Sequence, residues 1–173
     1  MKCFICTYAI VLLVCIGSSC SGAEDNRNAA EFERSSRTAK ELFLRDGNYA
    51  QAKVHYESAL RAAEDMKWID GIVMTKRALS EISTAKKDYA EAEVILNDAI
   101  EICSSNNECS SQQLAALYDN LIFLYLFWLK DKSKALNTIE RVAASREKLS
   151  QSEDVDSILS RYREQMKMTD FEP

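Results

Sequence analysis

Between Ala23 and Glu172 the chain has two glycines, Gly47 and Gly71, and no proline. No other feature restricts its fold as much. Strands must be joined by turns, and turns draw on Gly and Pro. A long stretch almost without either nearly excludes an all-β fold. It predicts an all-α protein of helices joined by short polar turns. With 173 residues, 47% hydrophobic and 28% charged, the chain can bury one core-bearing domain. Its composition is neither disordered nor collagen-like.

The N-terminus reads as an address. Lys2 precedes residues 4–16, a nearly wholly apolar run (FICTYAIVLLVCI). Thirteen residues suit the h-region of a signal peptide and are too few to span a bilayer as a mature helix. The expected organisation is a signal peptide over 1–19, a linker over 20–28 and one domain over 29–173. Two cleavage readings stay open. Residues 16–20, Ile-Gly-Ser-Ser-Cys, resemble the lipobox of bacterial lipoproteins, with Gly17 in place of the usual leucine. That resemblance implies lipidation of Cys20 and a place at a bacterial cell envelope. The alternative is ordinary cleavage after Ala23, with Ser21 and Ala23 as the small residues, giving a secreted soluble protein.

Cysteine usage agrees with export. Cys3, Cys6 and Cys15 leave with the signal, and Cys20 is lipidated or lost. Cys103 and Cys109 remain, an even number in an oxidising compartment. Six residues apart on a continuous helix their Cα atoms would be about 9 Å apart, beyond bridging range. The intervening Ser104-Ser105-Asn106-Asn107 reads as a turn that brings them together, so a Cys103–Cys109 disulfide is expected. Two thiols and one distant histidine do not make a zinc site, and no metal is expected.

Loss of Lys2 with the signal takes the net charge from −5 to −6. An acidic chain without a basic tract is not expected to bind nucleic acid. It has no polybasic segment for anionic lipid, so membrane attachment is expected only through a lipid on Cys20.

The chain repeats itself. Residues 46–60, DGNYAQAKVHYESAL, return forty positions later as residues 86–100, KKDYAEAEVILNDAI. Tyr49 matches Tyr89, Ala50 and Ala52 match Ala90 and Ala92, Val54 matches Val94, and Ala59 matches Ala99. A weaker third copy begins at Asp131 and carries Ala135, Ile139 and Val142. Each copy is a turn, a small residue, a large one four further on, then another small one at +3. The small residues share one helical face and admit a neighbouring helix. The pattern resembles the second helix of the tetratricopeptide repeat family, with "GNYAQA" and "DYAEA" similar to its "G-x-Y-x-x-A" signature. The spacings of 40 and 43 residues (Ala52, Ala92, Ala135) resemble the long-helix, kinesin-light-chain-like subclass. Tyr125 to Ala135 is one residue long for the family, which leaves two registers open in the third repeat. The resemblance implies a right-handed superhelix of about three helical hairpins, over 33–66, 68–104 and 110–148. Helices are expected near 28–46, 49–66, 68–86, 89–103, 110–130 and 132–148. A last helix, 152–168, carries an apolar stripe of Val155, Ile158, Leu159, Tyr162 and Met166 and is expected to cap the array.

Catalysis finds no support. The single histidine, His55, matches Ile95 in the next copy, and no Walker loop, G-x-S-x-G or H-E-x-x-H occurs. No catalytic residue and no cofactor are expected. The family resemblance instead implies a ligand groove lined by the first helix of each repeat, and a protein or peptide partner. Aligned at fixed spacing, Arg37 and Arg77 share one groove slot and Glu41 and Glu81 another. A pair four apart on a helix can simply satisfy itself; the alternative is a row of arginines meeting an acidic ligand. Residues 114–129 are apolar or aromatic at all but Asp119 and Asn120, so this helix needs cover on every side. The terminal helix, a second copy, or a partner could supply it, and Phe127 marks the partner reading. The expected function is a protein–protein interaction scaffold at the envelope. The alternative is a structural subunit that assembles through 114–129, and the oligomeric state stays open.

Overall fold

The computed structural model describes residues 5–145 and 154–168. Among the described residues seven α-helices follow one another: α1 (Ile5–Leu44), α2 (Tyr49–Asp65), α3 (Ile69–Ala85), α4 (Tyr89–Ser105), α5 (Ser111–Phe123), α6 (Lys132–Ala144) and α7 (Asp154–Met168). No strand occurs among the described residues. Neighbouring helices pack as antiparallel hairpins, α1 with α2, α3 with α4, and α5 with α6. Most boundaries fall within two residues of those read from the sequence. α1 continues back through the signal-like stretch to Ile5, α5 gives way to a π-helix after Phe123, and α6 ends at Ala144, four residues early. Residues 1–4 and the side chain of Cys20 lie outside the described set, as do Ser152 and the side chains of Val155 and Met166.

The three second helices begin alike. A left-handed residue ends each turn: Gly47 (φ 62°), Lys87 (φ 64°) and Lys130 (φ 55°). The next residue, Asn48, Asp88 or Asp131, is the N-cap, and its side chain accepts from the backbone N–H three residues on. Four residues past the cap stand Ala52, Ala92 and Ala135, each 0% exposed. The large residues Tyr56, Leu96 and Ile139 follow, all buried, then Ala59, Ala99 and Val142. The cap at Asp131 therefore sets the register of the third hairpin. The extra residue before it is absorbed by the end of α5, where Leu124–Leu129 form a π-helix. An i→i+5 hydrogen bond closes over one more residue than the i→i+4 bond of an α-helix.

Left-handed backbone costs a non-glycine residue about 1–2 kcal/mol. Lys87→Gly and Lys130→Gly are each expected to raise stability by about 1 kcal/mol, read as a higher urea midpoint at unchanged slope. A lower midpoint in either variant would contradict the turn geometry.

Gly71 has a packing role. It is buried in the first turn of α3, and a Cβ there would overlap the indole of Trp68, whose ring lies against the backbone. Trp68 in turn meets Phe32 of α1 edge-on, with ring centroids 4.8 Å apart. Glycine thus lets the indole bridge two hairpins.

α7 covers α5 and α6. Ile158, Leu159 and Tyr162 join the core cluster that contains Leu114, Leu117, Leu121 and Ile122. Tyr162 donates its hydroxyl to Asp119 Oδ1 at 2.9 Å, and Arg161 pairs with the same carboxylate at 3.2 Å. Asp119, one of two polar residues in the apolar run, is the anchor for the cap. Burial and the Asp119 carboxylate both push the Tyr162 hydroxyl's pKa up.

Cys103 and Cys109 form the expected disulfide, with Cα atoms 5.1 Å apart across the turn after α4. The bond hints at an oxidising, extracytoplasmic compartment. No helix among the described residues is long and apolar enough to cross a membrane.

Candidate functional site: the clefts along the first helices

The second helices are locked together by one ion-pair motif used twice with the charges exchanged. Lys53, five past its cap, donates to Glu91, three past the next cap, at 2.6 Å. Glu93, five past that cap, receives Lys134, three past the third, at 2.7 Å. Ser83 of α3 completes the first pair by donating to Glu91 Oε2 at 2.7 Å, and Tyr125 completes the second by donating to Glu93 at 3.0 Å. These contacts hold neighbouring hairpins at a set offset and so position their first helices.

The hydrogen bonds from Lys53 and Ser83 hold the Glu91 carboxyl below the usual carboxylate range. The unfolded chain then binds more protons than the folded one in acid. The stabilisation from Glu91 is whole above about pH 4.5 and is lost as pH falls below it. Urea midpoints are expected to fall between about pH 5 and pH 3, with a shallower fall in Glu91→Gln. An equal fall in both proteins would remove Glu91 from the account.

The first helices leave clefts between them. The first, of about 260 Å³, lies between α1 and α3 and is lined by Phe32, Ser36, Lys40, Phe43, Leu44, Met74, Arg77, Ala78 and Glu81, with Tyr56 of α2 contributing. The second, of about 440 Å³, lies between α3 and the α5–π helix, with Leu96 of α4 in the same role. A third, more polar, of about 350 Å³, is bounded by Arg77, Gln112, Gln113, Asp119 and Arg161. The first two are one construction repeated. Lys40, Phe43 and Leu44 line the first as Glu81, Thr84 and Ala85 line the second, and Tyr56 and Leu96 are matched residues.

Along the first helices that match runs at an offset of 41 residues, against 40 for Tyr56 and Leu96, so the cleft positions of α1 and α3 differ by one. Arg37 and Glu41 are exposed and do not line the clefts, whereas Arg77 and Glu81 do. The reason is the turn. Four residues, 45–48, join α1 to α2, and the Asn48 N–H reaches back six residues to Leu42 O. Three residues, 86–88, join α3 to α4, and the Asp88 N–H reaches back five to Ser83 O. The extra residue rotates α1 by one position relative to α3. Ser36 and Lys40 take the places opposite Arg77 and Glu81, and Arg37 pairs instead with Glu33 at 2.6 Å.

Compared with known proteins, the chain matches no family model and no curated sequence.

Arg77 and Glu81 are the hinge of the surface. Arg77 lines both the first and third clefts and Glu81 both the first and second. Their side chains approach only to 3.9 Å, a loose pair that leaves hydrogen-bonding capacity on both. Across the three clefts stand four cations, Lys40, Arg77, Lys87 and Arg161, against two carboxylates, Glu81 and Asp119. On a chain of net charge −5 this face is locally basic. Phe127 lines none of the three clefts and lies tilted against Phe123, with ring centroids 4.5 Å apart. His55 is half-buried on α2 and lines none of the three clefts. Among the described residues no group of His, Cys, Asp or Glu is arranged to hold a metal ion.

The sequence reading missed Lys40 and Lys87 as site residues. A register that counted turn residues would have found Lys40. Nothing in a linear pattern marks Lys87 as facing a cleft.

Proposed function

We propose that the protein is a tetratricopeptide-like binding module, exported and lipid-anchored through Cys20 at a bacterial envelope, whose first helices hold a protein segment. The observation that carries this reading is the repeated cleft, floored by matched residues of successive second helices and joined through Arg77 and Glu81. Its excess of cations on an acidic chain favours an acidic segment. The disulfide supports the compartment. The repeated turn, cap and small-residue pattern supports the family and its superhelix. No catalytic residue is proposed.

The test is charge reversal in the native cell. Crosslinking and pull-down are expected to recover an envelope partner with the wild type and with Arg37→Glu, and to lose it with Arg77→Glu. Retention by Arg77→Glu would overturn the groove. Metabolic palmitate labelling of wild type and Cys20→Ala tests the anchor, and an unlabelled wild type ends that part.

A second reading has an observation of its own. Phe123, Phe127 and Trp128 are 45%, 39% and 46% exposed, a large aromatic patch for one helix end. A structural subunit could assemble through it. Light scattering after size exclusion would then show a concentration-dependent dimer lost in Phe127→Glu, whereas a strict monomer at micromolar concentration counts against it.

A further inference from the structure

The second cleft owes its shape to the π-helix. On an α-helix Phe123 and Trp128, five apart, would diverge by about 140°. The π ladder joins residues five apart, and here both rings line one cleft with Leu96, Leu124 and Ala85. Each ring has an aromatic neighbour. Trp128 stacks on Tyr89 at 5.7 Å, and Phe123 lies tilted against Phe127 with centroids 4.5 Å apart. Such support removes ordering cost from binding. The volume, about 440 Å³, is within the range of small-ligand pockets.

One cation lines it. Lys87 is exposed, lines this cleft, and makes no ion pair among the described residues. It is held in left-handed backbone at φ 64°, where the first hairpin uses glycine. Glu81, which also lines this cleft, is paired only loosely with Arg77, at 3.9 Å.

We infer that this cleft takes a bulky apolar or aromatic side chain of a partner peptide, with a neighbouring carboxylate set on Lys87. The inference rests on the proposed groove and names what one part of it recognises. The insertion that lengthens the third repeat is then what builds its specificity.

The probe is acetyl-Asp-Leu-Phe-Asp-amide, added to the folded protein and followed by amide chemical shifts and indole fluorescence. Saturable shifts around Trp128 and Lys87 are expected, with a dissociation constant of about 1 mM or tighter. The matched peptide acetyl-Lys-Leu-Phe-Lys-amide is expected to bind at least fivefold more weakly. Trp128→Ala should abolish the shifts. Lys87→Gly should fold more stably than wild type and yet bind the acidic peptide at least fivefold more weakly, a combination that a purely structural lysine would not give. Equal binding of the two peptides, unchanged affinity in Lys87→Gly, or no saturable shift would each overturn the inference. The broader groove is read separately, by partner loss in Arg77→Glu, and would survive those results.

Discussion

Removal of residues 152–173 is expected to cost the protein the fold of its third hairpin, not only a terminal helix. α7 buries Ile158, Leu159 and Tyr162 to 3%, 4% and 2% exposure on the cluster built from α5 and α6. Each such side chain stabilises by about 1.5–3 kcal/mol, so the three together reach roughly 5 kcal/mol or more. That is a large share of a domain's typical stability. Without α7, Leu114, Leu117 and their neighbours lose their cover, and Asp119 loses both of its partners. The truncated chain should bind hydrophobic dye, lose near-ultraviolet circular dichroism and aggregate at micromolar concentration. A monomeric truncated chain with the wild-type urea midpoint would show that α7 covers nothing.

The second large effect is a change of sign. Gly71→Ala is expected to destabilise by about 1–2 kcal/mol, because overpacking against the Trp68 ring outweighs the better helix propensity of alanine. In a Trp68→Ala background the ring is gone and the same substitution should stabilise by about 1 kcal/mol. The coupling between the two sites, read from urea titrations of all four proteins, is then about 2–3 kcal/mol. Additive effects would mean that the close approach of ring and backbone does not constrain α3.

Local patterns made most of the fold legible in the sequence. Scarce glycine and proline excluded sheets, recurring small residues placed the second helices, and Cys103 with Cys109 announced a bridge. These signals depend on neighbours a few residues apart, where helix geometry leaves little freedom. The failures share a different origin. Arg37 was matched with Arg77 at a constant spacing, but one turn has four residues and the other three, and one residue turns a helix by about 100°. The same arithmetic left the third repeat open until a π-helix absorbed its extra residue. The role of Gly71 is not legible in the sequence, because it comes from a ring, Trp68, that packs onto its Cα. Helix widening and ring placement are set by packing, and neither leaves a fixed signature in the order of residues.

The claim that the first helices form the binding face is tested most directly by a photo-crosslinking residue placed in the native cell. Ala78 lines the first cleft, and Val94 is exposed on α4 outside all three clefts. The crosslinker at Ala78 is expected to capture one defined partner, and to lose it when Arg77→Glu is added. The crosslinker at Val94 should capture none. Capture from Val94 alone, or capture from Ala78 that ignores Arg77→Glu, would contradict the account.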